Sequence, residues 1–134
     1  MDSLRAVASH RSLALASYIS LPRSTDVVNA LRIALCQQEA PNCRHYCFSK
    51  EATRECQAIA GLADRDLFGE IMSAGDRSPV FISPASIVKD FYQEHQLAFF
   101  YLQAGEEIAR VEFPCWIAEQ PRPKGVKITK IREI

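Results

Sequence analysis

The sequence predicts a mixed α/β fold in which helices flank a sheet that includes an antiparallel hairpin near residues 97–113. Three observations predict it. "LAFFYL" (97–102) is an unbroken apolar run, as in a strand covered on both faces, and "IARVEF" (108–113) alternates in polarity after the turn "QAGEE". "RSTDVVNALRIALC" (23–36) has helix-start residues followed by apolar residues at helical spacing. "LALASYISL" (13–21) is rich in strand formers and stops at Pro22.

Taken in order, the strand over 13–21 leads into a helix that Ser24 or Thr25 caps, with Asp26 in its first turn and Val27, Val28, Leu31 and Leu35 on one face. Pro41 and Asn42 break that pattern, and a cysteine-rich loop follows. A helical region starts near Glu51 and runs through Ile59 and Leu62; another carries Leu67, Phe68, Ile71 and Met72. "SAGDRS" is a turn, and "PVFIS" (79–83) a short buried strand. "SPASIVKDFYQEH" opens with Ser83 as cap and Pro84 at the first helical position, then places Ile87, Val88 and Phe91 on one face. In the hairpin, Ala109, Val111 and Phe113 share one face, and Ile108, Arg110 and Glu112 the other, where Glu112 can pair with Arg110.

The 134 residues suit one domain, with 48% apolar and 24% charged residues, as in ordinary globular chains. Sixteen basic residues balance sixteen acidic ones, so any contact with a polyanion must come from a local patch. No apolar run reaches membrane-spanning length, and the first twenty residues lack the order of a secretion signal. The expected location is a reducing cytoplasm, where five cysteines are not a disulfide framework. No nucleophile elbow, phosphate-binding glycine loop or dinucleotide fingerprint is present, which leaves nucleotide hydrolysis and cofactor redox chemistry without support.

"LASYISLPRSTDVVNALRIALC", "LADRDLFGEIMSAGDRSPVFIS" and "LAFFYLQAGEEIARVEFPCWIAE", in this order and spacing, resemble the NurA family of DNA repair nucleases over roughly residues 13–120. The resemblance implies a partial RNase H-like core with a mixed sheet and flanking helices, and a homodimer. It also implies partnership with a HerA-type hexameric ATPase in resecting DNA ends. Manganese-dependent phosphodiester hydrolysis comes with it, chemistry in which clustered carboxylates hold the metal beside the scissile phosphate. In that family the carboxylates lie upstream of the matched region, and a tyrosine–histidine pair lies downstream. The expectation is therefore a partial NurA-like nuclease domain over 1–120, inactive alone and contributing no catalytic residue. A basic tail over 121–134 departs from the family pattern and reads either as an exposed tail or as an arm touching phosphates.

Arg23 and Arg77 fall inside the matched motifs and are the candidate DNA contacts, since guanidinium forks suit phosphate oxygens. Arginine in a turn such as "GDRSP" equally serves backbone carbonyls. Asp64 and Asp66 lie about 200° apart on a helix and do not share a metal; Asp64 with Arg65 reads as a cap or ion pair at a helix start. Glu106 and Glu107 read as a solvated turn, His95 as a favourable charge at a helix end, and the sequence offers His10 no partner within reach.

Cys36, Cys43, Cys47 and Cys56 are the candidate metal ligands. The middle pair has spacing seen in structural zinc sites, and an iron–sulfur cluster would use the same four thiolates. The alternative is that they are small buried hydrophobes, as Cys115 between Pro114 and Trp116 is expected to be. Bound metal would make the chain a non-catalytic, metal-stabilised interaction module, the rival to the nuclease-segment reading.

Overall fold

The computed structural model describes residues 3, 5–6, 15–37, 39–42, 55–84 and 96–118. In chain order these form β1 (Ser17–Ile19), α1 (Asp26–Ala34), a 3₁₀ turn (Glu55–Gln57), α2 (Asp64–Ile71), β2 (Phe81–Ile82), β3 (Leu97–Ala104), β4 (Glu107–Pro114) and α3 (Cys115–Ala118). The α/β class holds. The described strands make one sheet in the order β1-β4-β3-β2, and each pairing is antiparallel, where a mixed sheet was expected.

The expected hairpin forms, with β3 and β4 in register from Leu97 opposite Pro114 to Ala104 opposite Glu107. Gly105, at φ +66°, opens the two-residue connection, and Glu106 completes it. Positive φ at the first loop position alone is the arrangement of a II′-type turn, which follows the strand twist and admits glycine without strain. The polarity alternation also holds. Ile108 packs with Phe68, Phe81, Phe99 and Tyr101 beneath α1 and α2, whereas Phe113 packs with Val80 and Ala98 on the opposite face. Tyr101 stacks on Phe68 with ring centroids 4.7 Å apart, joining α2 to the centre of β3.

Three expectations are corrected. Of the strand expected over 13–21, the described residues 15–21 are regular only at Ser17–Ile19, which pairs with Arg110 to Glu112 of β4. In α1 only the first turn, Val27 and Val28, is buried; Leu31 and Leu35 are about 40% exposed. The helix leans on α2 and the 3₁₀ turn instead of lying along the sheet, so its later turns leave the core. The helical region expected through Ile59 and Leu62 is, where described, a 3₁₀ turn followed by a bend to Gly61 at φ +87°. The helix expected after Pro84, His10, His95 and the 121–134 tail lie outside the described residues.

Candidate functional site

The first residue of α2, Asp64, is a carboxylate wholly buried among hydrogen-bond donors. Its two oxygens accept the Val27 N–H at 3.1 Å, the Val28 N–H at 2.8 Å and the Tyr101 phenol O–H at 2.7 Å. The first two are orphan donors of α1. Thr25, at the N-cap position of α1, makes no side-chain cap bond. A carboxylate 36 residues further along the chain therefore does what a local Ser or Thr was expected to do, with a full charge facing the positive end of the helix dipole. The Asp64 N–H returns a bond to the Ser24 carbonyl at 2.8 Å, so the starts of α1 and α2 are tied in both directions. The start of α2 is closed by Asp66, which accepts the Ala63 N–H at 2.9 Å.

Tyr101 connects this cap to a second ionic group. Arg110, on β4 and only 5% exposed, donates to the Tyr101 hydroxyl at 3.3 Å, to Asp26 at 2.7 Å and to Glu112 at 2.8 Å. Its guanidinium carbon lies 3.7 Å from the Phe99 ring centroid, so the planar cation is also faced by an aromatic ring. Burial alone pushes the Arg110 pKa down, but the bonds to Asp26 and Tyr101 outweigh it and leave the pKa raised. Burial, then the hydrogen bond to Asp64, pushes the Tyr101 phenol well above the usual tyrosine range, so it remains a donor. On the surface, Glu107 accepts from Tyr18 at 2.6 Å and Ser20 at 2.8 Å, and these bonds lower its pKa.

The carboxylates named here are thus already engaged: Asp64 by three donors, Asp26 and Glu112 by one guanidinium, Glu107 by two hydroxyls. Asp76 likewise accepts the Ser73 N–H at 2.8 Å. Among the described residues, no group of three or more His, Cys, Asp or Glu side chains is placed to hold a metal ion. To ligate one, Asp64 would have to give up bonds that α1 and Tyr101 need, and Asp26 and Glu112 would have to leave a buried cation unpaired. This donor set does not fit a catalytic metal.

Of the candidates read from sequence, Arg23 is exposed between the buried Pro22 and the start of α1. Arg77 is exposed on the outer side of β3, where its backbone bridges to Leu102. Arg77 donates to the Ser78 carbonyl at 3.3 Å, the backbone role open to an arginine in this turn, and its guanidinium carbon lies 5.9 Å from the Phe100 ring centroid. Arg23 follows the edge strand β1, so the sheet separates the two arginines. Cys36 is half-buried just beyond α1, and Cys56 is buried in the 3₁₀ turn. Arg32 of α1 donates to the Cys56 carbonyl at 3.2 Å, which docks the two segments together. Cys43 and Cys47 lie outside the described residues. Pairing of Glu112 with Arg110 was legible from their shared strand face; Asp26 as the third partner and Tyr101 as the link were not, because both come from other elements.

An antiparallel sheet with two helices on one face, pinned by a structural carboxylate cap and a buried arginine, defines an α/β domain whose ionic core holds the fold together. The chain belongs to the NurA family: the family model of the NurA domain matches residues 3–123. NurA domains are those of metal-dependent DNA repair nucleases. No curated protein and no solved structure matches the chain. Among the described residues, no helix is long and apolar enough to cross a membrane.

Proposed function

We propose that this chain is the scaffold segment of a NurA-type DNA nuclease acting in the resection of double-strand-break ends, and that it does not cut DNA alone. The observation that carries the reading is the state of Asp64. It is an acidic residue inside a family motif, and its acceptor capacity goes to the start of α1 and to Tyr101. The carboxylates that hold manganese in the working enzyme then lie outside this chain, and the antiparallel sheet is its share of an RNase H-like core. The partial nuclease domain spans residues 1–120, with the basic segment 121–134 beyond it. The working form is a cytoplasmic homodimer that meets a HerA-type hexameric ATPase, and Arg23 and Arg77 face DNA from opposite sides of the sheet. The test is incubation of the purified 134-residue chain with manganese and with single- and double-stranded DNA. No cleavage is expected; robust cleavage abolished by changing one of its carboxylates would overturn the placement of the reaction centre.

A second reading is favoured by one contact. The Arg32–Cys56 bond ties α1 to the 3₁₀ turn, and Cys36 and Cys56 lie just beyond α1 and in that turn. In that reading Cys36, Cys43, Cys47 and Cys56 clamp zinc or an iron–sulfur cluster, and the chain is a metal-stabilised interaction module. Elemental analysis decides this: near one equivalent of zinc or an iron cluster supports the clamp, and metal-free protein leaves the cysteines as packing groups.

A further inference from the structure

The described sheet has two edges, and they are built differently. β2 is two residues long between Pro79 and Pro84, and the exposed Arg77 pairs with Leu102 beside it, so prolines and a charge blunt that side. At the other edge, β1 has β4 on one side and no described strand on the other. Each residue from Leu15 to Leu21 is exposed, Tyr18 by 54%. This stretch, "LASYISL", holds no charge and no proline, the residues that normally keep a free edge from pairing. Glu107 holds the Tyr18 and Ser20 side chains, and Leu21, at φ +46°, turns the chain away, so the strand is presented in a fixed position.

We infer that this edge pairs with the same edge of a second copy, antiparallel about a two-fold axis through Tyr18. The homodimer of the reading above, on which this rests, then closes through β1. The stretch itself selects that occupant, because it has nearly the same chemistry read in either direction. Pairing about Tyr18 sets Tyr18 opposite the partner's Tyr18, Ser17 opposite the partner's Ile19, and Ala16 opposite the partner's Ser20, and it brings Leu15 towards the partner's Leu21. No charge meets a like charge, and the free N–H and C=O groups of the edge gain partners. Both copies keep α1 and α2 on the same face, and the two four-stranded sheets become one. Pairing over so short a stretch buries less than a standard interface, so the dimer is concentration-dependent.

The test is sedimentation velocity of the 134-residue chain from about 5 to about 500 µM, joined to disulfide trapping. The wild type is expected to pass reversibly from monomer to dimer. Tyr18→Lys, which sets two cations about 5 Å apart on the axis, should weaken the dimer about fourfold or more. Tyr18→Cys should be trapped as a disulfide-linked dimer under mild oxidation, because directly opposed residues lie about 4.5–5.5 Å apart at Cα, within the span of a disulfide. Ser17→Cys is the register control. Its two copies sit diagonally, about 7–8 Å apart, and should be trapped no more than the wild type with its five native cysteines. Both positions are exposed, and circular dichroism checks that each variant is folded. A dimer that Tyr18→Lys leaves unchanged, or trapping at position 18 no greater than at position 17, would overturn the edge pairing while leaving the homodimer intact. A wild type that stays monomeric over the whole range would overturn both.

Discussion

Replacing Asp64 tests the central claim about what holds this fold together. In Asp64→Ala, α1 loses the acceptor for its Val27 and Val28 N–H groups, and the Tyr101 hydroxyl loses its acceptor in a fully buried position. Loss of a helix cap costs about 0.5–2 kcal/mol. Leaving a buried donor unsatisfied costs about 1–3 kcal/mol more. The expected total of about 1.5–5 kcal/mol is a large share of the ~5–15 kcal/mol by which a domain is normally stable. Asp66→Ala is the internal control: it removes the exposed bond from the Ala63 N–H and the exposed ion pair with Arg65 at 3.6 Å, and should cost about 1 kcal/mol or less. Because Tyr101 and Asp64 act as a pair, Tyr101→Phe in the Asp64→Ala background should cost less than in the wild type, with a coupling of about 1 kcal/mol or more. Urea unfolding followed by circular dichroism at 222 nm measures all four variants against the wild type. A cost for Asp64→Ala no greater than that of Asp66→Ala, or strict additivity with Tyr101→Phe, would refute the reasoning.

Two further outcomes follow from the same geometry. The Tyr101 phenol is raised above its ordinary value of about 10, so its contribution to stability is fully present below that pH and is lost as pH rises through the folded value. Absorbance titration at 295 nm should show a late component that Tyr101→Phe removes and that coincides with alkaline unfolding. At the hairpin turn, Gly105 has positive φ and open space where a methyl group would project, so Gly105→Ala should cost about 1 kcal/mol from backbone strain alone. A melting temperature unchanged in Gly105→Ala would show that the turn relaxes to another type.

The features legible in the sequence are the ones whose signal is local. The β3–β4 hairpin is written in a contiguous apolar run, a glycine turn and an alternating strand. The Arg110–Glu112 pair follows from their position two apart on that strand. What the sequence hid depends on elements distant along the chain. Ser24 and Thr25 are proper cap residues, yet the donors of α1 are taken by Asp64, because the start of α2 abuts the start of α1 and a charged acceptor competes better than a hydroxyl. Leu31 and Leu35 have helical spacing but stay about 40% exposed, since among the described residues only the first turn of α1 reaches the core.

The two halves of the ionic core also explain how a polar centre can be retained in so small a domain. A buried arginine against a single carboxylate would gain little over an apolar pair, because desolvation offsets the attraction. Here one guanidinium meets Asp26, Glu112, the Tyr101 oxygen and the face of Phe99, which leaves few of its donors to be desolvated without return. Asp26 belongs to α1, Tyr101 to β3, Asp64 to α2, and Arg110 and Glu112 to β4. The network therefore fixes the position of both helices on the sheet, which apolar contacts among Val27, Phe68 and Ile108 would set less specifically. On the scaffold reading proposed above, a nuclease that must hold metal-binding carboxylates to within a fraction of an ångström needs such a rigid base, and Asp64 serves that base through its bonds to α1 and Tyr101.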